Sequence, residues 1–276
     1  MTLDALQSFT WQTITAGGAG GDVKILAGDD TGLDGLDIPE FTTTLTGRQG
    51  DGMHGGAQYA TVLSPTCRVI CVDTATLMVL RASMKPRPNP LDEQPWVFRG
   101  FGFPTDTTDW RIWVRPEICE YRANLLATVG GAWMVDLAWT ATDPTIYSDT
   151  LHVYDSEDAS APAANGFAVN CANAGSAPTT NGRALRVLIT PTTTCTSPRI
   201  LNYDTGEYVQ WPGLQIGAGQ TFAWETDRTS YIGTQRVDGR RTPFTSPPIL
   251  YPGDNDLHVD CASGNFHIRI EWRDTH

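Results

Sequence analysis

The chain has 276 residues, 40% of them apolar and 18% charged, with a formal net charge of −12. That apolar fraction excludes a disordered chain, and the length suffices for one large or two ordinary domains. The excess of 31 acidic over 19 basic side chains argues against a reader of nucleic-acid sequence, which needs a basic surface to displace phosphate counterions.

Twenty-seven glycines and 18 prolines punctuate the chain, and runs of strong helix formers are scarce, so the composition predicts a mainly β protein. Gly17, Gly18, Gly20 and Gly21 form a turn feeding a strand at Val23-Lys24-Ile25-Leu26. The segment Gly28 to Glu40 is acidic and turn-rich, Phe41 to Thr46 is β-prone, and Gly50 to Gly56 is a glycine-laden loop. Over Thr66 to Asp73, Cys67, Val69 and Cys71 alternate with Arg68, Ile70 and Val72; both faces are mostly apolar, which predicts a strand covered on both sides. Asp73 or Thr74 then suits a helix N-cap, with Leu77, Leu80 and Met84 on one stripe, and the helix stops before Pro86.

Trp110, Ile112 and Val114 alternate with Arg111, Trp113 and Arg115, which sets a tryptophan between two arginines for cation–π contact. Trp133, Val135, Leu137 and Trp139 mark a further strand that ends at Ala141-Thr142-Asp143-Pro144. Composition shifts near Ser148 to Tyr154, and the chain from Tyr154 to Gly182 is small and polar, so we divide the sequence into domains 1–150 and 151–276. Strands at Leu185–Thr190, Phe222–Glu225 and a C-terminal pair are spaced as in a β-sandwich. With Gly264-Asn265 as a two-residue turn, the last pair reads as a hairpin. Its outward partners are Asp260–Arg269, His258–Glu271 and Asp256–Arg273; its inward partners are Cys261–Ile268, Val259–Ile270 and Leu257–Trp272.

Chemistry is sparse. A nucleophile elbow, a P-loop, a paired-histidine zinc helix and a dinucleotide fingerprint are all missing from the sequence. His54, His152, His258, His267 and His276 show no metal-ligand spacing, and His258 and His267 are expected on the solvent face of the hairpin. Asp29, Asp30, Asp34, Asp37 and Glu40 suggest a calcium loop only superficially: counted from Asp30, Gly32 takes the third position and Phe41 the twelfth, where a bidentate glutamate belongs. Cys67, Cys71, Cys119, Cys171, Cys195 and Cys261 include no closely spaced ligand pair and read as buried free thiols. We therefore expect no enzyme, no catalytic residues, no cofactor and no metal. Nine tryptophans and eight tyrosines could line a sugar-binding face, or fill β cores and a subunit interface.

One resemblance spans most of the chain. Pro198-Arg199-Ile200-Leu201-Asn202 leads into Asp204-Thr205-Gly206-Glu207, then Leu214 to Gln220, Glu225-Thr226-Asp227, and Leu250-Tyr251-Pro252-Gly253-Asp254-Asn255-Asp256-Leu257. This succession resembles the C-terminal domain of siphophage distal tail proteins and related minor tail proteins. Gly35 to Pro39, Gly50-Asp51-Gly52 with Gly55, Thr66 to Met84 and Trp133 to Tyr147 are similar, more loosely, to the family's N-terminal domain and its exit. The cysteines, Glu93 to Thr108 and Asp155 to Ala164 depart from the pattern.

The resemblance implies a split-barrel-like N-terminal domain with one helix, followed by a galectin-like β-sandwich that projects outward. It implies a structural protein of the virion tail tip, a homo-hexameric ring between the tail tube protein and the tail hub or baseplate, alongside other minor tail proteins. DNA would pass through the lumen without specific binding, which an acidic wall favours. The alternatives are a carbohydrate- or host-receptor-binding module recognising a surface glycan, and an envelope hydrolase. No apolar run is long enough to span a membrane and Met1 to Gln12 lacks signal-peptide character, so synthesis in the host bacterial cytoplasm is expected.

Overall fold

In the computed structural model of the chain, the described residues are 8–12, 14–17, 23–25, 66–85, 93–99, 109–122, 132–141, 145–156, 161–162, 166–179, 183–225, 229–243 and 245–275. The acidic segment Gly28 to Glu40, the β-prone run Phe41 to Thr46 and the loop Gly50 to Gly56 lie outside them, as do His54 and His276. The protein is mainly β and divides into two compact units, Met1–Ile146 and Tyr147–His276.

The first unit carries β1 (Ser8–Trp11), β2 (Ile14–Gly17), β3 (Val23–Ile25), β4 (Thr66–Cys71), α1 (Thr74–Ser83), β5 (Gln94–Arg99), β6 (Trp110–Arg122) and β7 (Trp133–Thr140). Its sheet runs β5-β1-β2-β3-β4-β7-β6, and β6 pairs back onto β5, so the strands close on themselves. β6 makes the closure possible by changing partners along its length. Gln94 to Phe98 of β5 pair with Trp110 to Val114 of β6, whereas Arg115 to Arg122 pair with β7. The register shifts between Pro116 and Ile118, where proline cannot donate to the ladder. A bulge of this kind bends a strand and turns a barrel corner.

Aromatic side chains fill this barrel. Phe9 and Trp11 lie opposite Phe98 and Trp96 on β5, and all four are at most 1% exposed. Trp139 packs into the same group, 5.5 Å from Trp96 and 5.7 Å from Phe9 between ring centroids. The predicted alternation on β6 holds: Trp110, Ile112 and Val114 are core, while the Arg111 guanidinium lies 5.4 Å from the Trp113 ring on the outer face. On β4 the cysteine face is buried as expected, but the other face is not fully covered. Ile70 is half-buried and Val72, just past the strand, is 40% exposed, since Val72 leaves the sheet before the helix begins.

The predicted helix is present. Asp73 adopts an extended conformation and its carboxylate accepts the Thr76 N–H at 2.7 Å; Leu77, Leu80 and Met84 are buried against the barrel. The Trp11 indole N–H donates to the Ser83 carbonyl at 3.3 Å, tying the helix end to β1.

The second unit comprises β8 (Tyr147–Ser148), β9 (His152–Asp155), β10 (Ala161–Pro162), β11 (Phe167–Asn170), β12 (Leu185–Pro191), β13 (Cys195–Thr196), β14 (Arg199–Asn202), β15 (Tyr208–Gln210), β16 (Gln215–Ile216), β17 (Phe222–Glu225), β18 (Ser230–Ile232), β19 (Gln235–Arg236), β20 (Asp256–Asp260) and β21 (Asn265–Trp272). One sheet runs β10-β21-β12-β17-β18-β19 with β9 also on β21, the other β11-β20-β14-β15. Their inward residues, among them Val187, Phe222, Ile268 and Ile270 from the first and Ile200, Val209, Leu257 and Val259 from the second, share one core.

The C-terminal hairpin is not formed, which corrects the sequence reading. β20 pairs with β11 and β14, whereas β21 pairs with β12, β9 and β10, so the two strands belong to opposite sheets. Every inward residue named for the hairpin is buried, but across the sandwich and not as a cross-strand neighbour. Asp260 faces Arg199, and Arg269 reaches Asp155 and Glu271. Arg273, expected outside, is buried with its guanidinium donating to the carbonyls of Ser148 and Asp149. Gly264 has φ +93°, and a side chain there would meet the Thr194 carbonyl at 2.4 Å; its role is close packing on the β13 segment, not a hairpin turn.

Candidate functional site

Two turns at one end of the four-stranded sheet build a rigid platform. The first is the Asn202-to-Glu207 connection between β14 and β15, the second the Leu250-to-Asn255 approach to β20. Asn202 and Asn255 are buried and act as backbone surrogates. The Asn202 amide donates to the Ile249 carbonyl at 2.8 Å and its oxygen accepts the Asp204 N–H at 3.0 Å. The Asn255 amide donates to the carbonyls of Tyr251, Gly253 and Cys171, and its oxygen accepts the Tyr251 N–H at 2.8 Å. Asp204 Oδ2 then accepts the Asp256 N–H at 2.7 Å, joining the two turns.

This platform holds Tyr203, Tyr208 and Tyr251 outward, at 55%, 37% and 40% exposure. Large apolar surfaces left in water on a well-braced framework mark contact sites more often than isolated exposed residues do. Tyr203 lies against the His258 ring with centroids 5.2 Å apart, and the Tyr251 hydroxyl donates to Glu207 at 3.4 Å. Burial and the adjacent Glu207 carboxylate push the Tyr251 phenol upward, so it remains a donor at neutral pH. Beside them the Arg199 guanidinium donates through Nε and Nη2 to Asp260 Oδ2 at 3.0 and 2.5 Å, and His258 Nδ1 approaches the same oxygen at 3.1 Å. β14 and β20 set this triad, because the ladder places Arg199 opposite Asp260 and Leu201 opposite His258.

The arrangement offers exposed aromatic faces, carboxylates and one arginine, a surface for binding with no nucleophile beside a base. Among the described residues no group of three His, Cys, Asp or Glu could hold a metal ion. The other singled-out side chains are dispersed. His152 stacks on Trp272 at 5.3 Å and pairs with Asp274 at 3.1 Å, and His267 Nδ1 contacts the Ser156 carbonyl at 3.1 Å. The six cysteines are free and all but the half-buried Cys119 are buried; burial pushes the thiols of Cys67 and Cys171 up to about 12. Trp11, Trp96, Trp110, Trp139, Trp211, Trp224 and Trp272 are core residues, whereas Trp113 and Trp133 are half-buried.

Sequence reasoning found Asn202, Asn255 and the turns but not the tyrosine platform. The signal was there in part: Tyr203 and Tyr208 flank a Thr-Gly turn, and a two-residue-period reading of β14 and β15 puts Arg199, Leu201 and Tyr208 on the outer face.

No protein-family model matches the chain, and no curated protein matches it. Solved structures do resemble it. The Dit protein of phage SPP1, described as a paradigm of the hub adsorption apparatus in phages infecting Gram-positive bacteria, matches with a TM-score of 0.51 and 14% identity, over 83% of this chain and 86% of that one. A chain of the phage P2 baseplate, in its activated conformation with Ca, matches with a TM-score of 0.50 and 8% identity, over 95% and 97%. At these identities the likeness is one of fold.

Proposed function

We propose that the protein is a structural component of a bacteriophage tail tip, a distal tail protein whose copies assemble into a ring between the tail tube and the tail hub or baseplate. The carrying observation is that the likeness to SPP1 Dit and to the P2 baseplate chain runs through both units, a closed barrel followed by a β-sandwich, and not through one common module alone. Fold by itself does not confer function; here it joins the succession of turn motifs that the second half carries, and both point the same way. On this reading the barrel unit makes the ring contacts, the copies number six, and the sandwich is galectin-like without needing to bind sugar. The net charge of −12 suits a wall past which DNA slides without adhering.

Native mass spectrometry with negative-stain microscopy of the purified full chain tests this. A closed ring of six copies is expected, either free or in assembled particles. A chain that is monomeric alone and makes no ring in particles overturns the proposal.

A further inference from the structure

The tyrosine platform stands among carboxylates that no described cation meets. Elsewhere in the sandwich unit, Asp155, Glu225, Asp238, Asp260 and Glu271 each lie within ion-pair distance of an arginine, and Asp274 of His152. Among the described residues, Asp204, Glu207 and Asp254 meet only uncharged donors: the Asp256 N–H, the Thr205 and Tyr251 hydroxyls, and the Asn170 amide. Asp256, exposed at the start of β20, completes the group. Arg199, the arginine of this face, is committed to Asp260 at the far end of the same strand, and His258 Nδ1 lies 3.1 Å from that carboxylate. The rise of an extended chain puts Asp256 about 13 Å from Asp260 along the strand.

We propose that this face binds a cationic protein segment, one whose arginine or lysine side chains lie over Tyr203, Tyr208 and Tyr251 while Glu207, Asp204, Asp254 and Asp256 neutralise them. Tyrosine rings attract guanidinium and ammonium groups through their π faces, more strongly as water is excluded. Tyrosine and arginine are also enriched in interface hot spots, and tyrosine brings large contact area at small cost in side-chain entropy. The platform meets the second condition in advance: Asn202 and Asn255 fix both turns from within, so little further ordering is needed on binding. A neutral saccharide could stack on the same rings but would leave four like charges uncompensated. A cationic segment relieves their mutual repulsion, and that charge complementarity selects it. The inference concerns the sandwich unit and does not rest on the ring.

The test uses the full chain and a fluorescein-labelled probe, acetyl-Gly-Arg-Gly-Arg-Gly-Arg-amide, followed by anisotropy in low and moderate salt. The same peptide with citrulline for arginine removes the charge at nearly constant shape. Saturable binding of the arginine peptide alone is expected, weakened about tenfold by Tyr203→Ser combined with Tyr208→Ser. Glu207→Gln should weaken it as well, whereas Glu120→Gln, which removes an exposed charge from the barrel unit, should not. All substituted positions are exposed or half-buried side chains, and unchanged melting temperatures verify folding. Three results overturn the proposal: the tyrosine pair leaves affinity within about twofold; Glu120→Gln costs as much as Glu207→Gln, which would make the binding diffuse electrostatics; or N,N′,N″-triacetylchitotriose binds through the tyrosine pair while the peptide does not.

Discussion

Asn255→Ala should destabilise the sandwich unit more than any substitution of a comparably small polar side chain on its surface. Asn255 is 2% exposed, and its carboxamide replaces backbone partners at a point where the chain reverses before β20. It donates at 2.8 Å to Tyr251, 2.9 Å to Gly253 and 3.3 Å to Cys171, and accepts the Tyr251 N–H at 2.8 Å. Alanine leaves the Tyr251 N–H and carbonyl and the Cys171 carbonyl without these bonds, while the Gly253 carbonyl keeps the Asn173 N–H at 2.9 Å. Three orphaned groups at the lower end of the range for buried polar atoms, because Tyr251 is itself near solvent, sum to about 3 kcal/mol. For a unit of this size that is a fall in melting temperature of about 10 °C.

Differential scanning calorimetry reads the effect, with Asn170→Ala as the control. Asn170 is exposed and makes one bond, to Asp254 at 3.3 Å, so its loss should cost less than about 0.5 kcal/mol. Asn255→Asp adds a test of sign. It keeps an acceptor for the Tyr251 N–H but turns an oxygen toward the carbonyls of Tyr251 and Gly253, which disfavours ionisation and raises the folded-state pKa of the introduced carboxyl above its unfolded value. The stability of that variant is then fully present below the unfolded pKa and is lost as pH rises through the folded one, so it should melt higher at pH 4 than at pH 7. An Asn255→Ala change of less than about 1 kcal/mol, or an Asn255→Asp variant indifferent to pH, would refute the view that the turns are held from within.

Arg199→Ala and Asp260→Ala should be non-additive, with a coupling of about 1 kcal/mol in a double-mutant cycle by urea unfolding, given a pair whose side chains are 39% and 16% exposed. Asp260→Arg with Arg269→Asp should show no rescue, because those residues lie in different sheets. Asp73→Ala should weaken the helix of the barrel unit, and its effect should depend on pH. The backbone N–H of Thr76, foremost, holds the Asp73 carboxyl below the usual carboxylate range, so its contribution is present above the unfolded pKa and fades as pH falls through the folded one; the melting temperatures of wild type and Asp73→Asn should differ most near neutral pH and converge at acid pH. Cys67, Cys71 and Cys171, whose thiols burial pushes to about 12, about 11 and about 12, should resist iodoacetamide at pH 8 in the native protein and react at once in denaturant, as mass spectrometry of alkylated peptides would show.

What was legible in the sequence was periodicity. Alternation marked β4, β7 and the first half of β6, where Trp110, Ile112 and Val114 are buried, and helical spacing marked α1; the continuation of β6 to Arg122 and the open outer face of β4 were not read. Partnering was not legible. The alternation of β20 and β21 fits a hairpin and a crossing between sheets equally well, since in both cases Val259 and Ile270 face the same core. Charge complementarity seemed to decide the matter, and it misled: Asp260 had two arginines available, and the one that pairs with it lies 61 positions away. The binding platform was hidden for the same reason. Tyr203 meets the His258 ring only through the β14–β20 ladder, a contact with no local signature.

The same separation divides the sandwich unit between residues that hold its turns and residues that face outward. In the sandwich, Asn202 and Asn255 look inward and stabilise turns whose outer residues make no demands on the fold, so Tyr203, Tyr208 and Glu207 can vary without unravelling β14, β15 or β20. Buried amides set the shape, exposed tyrosines and carboxylates set the partner, and the two groups share a backbone but few contacts. The likeness to structural neighbours at 8% to 14% identity accords with a fold specified more by apolar alternation in the strands than by particular side chains. The exposed residues are then free to follow whatever basic surface they meet.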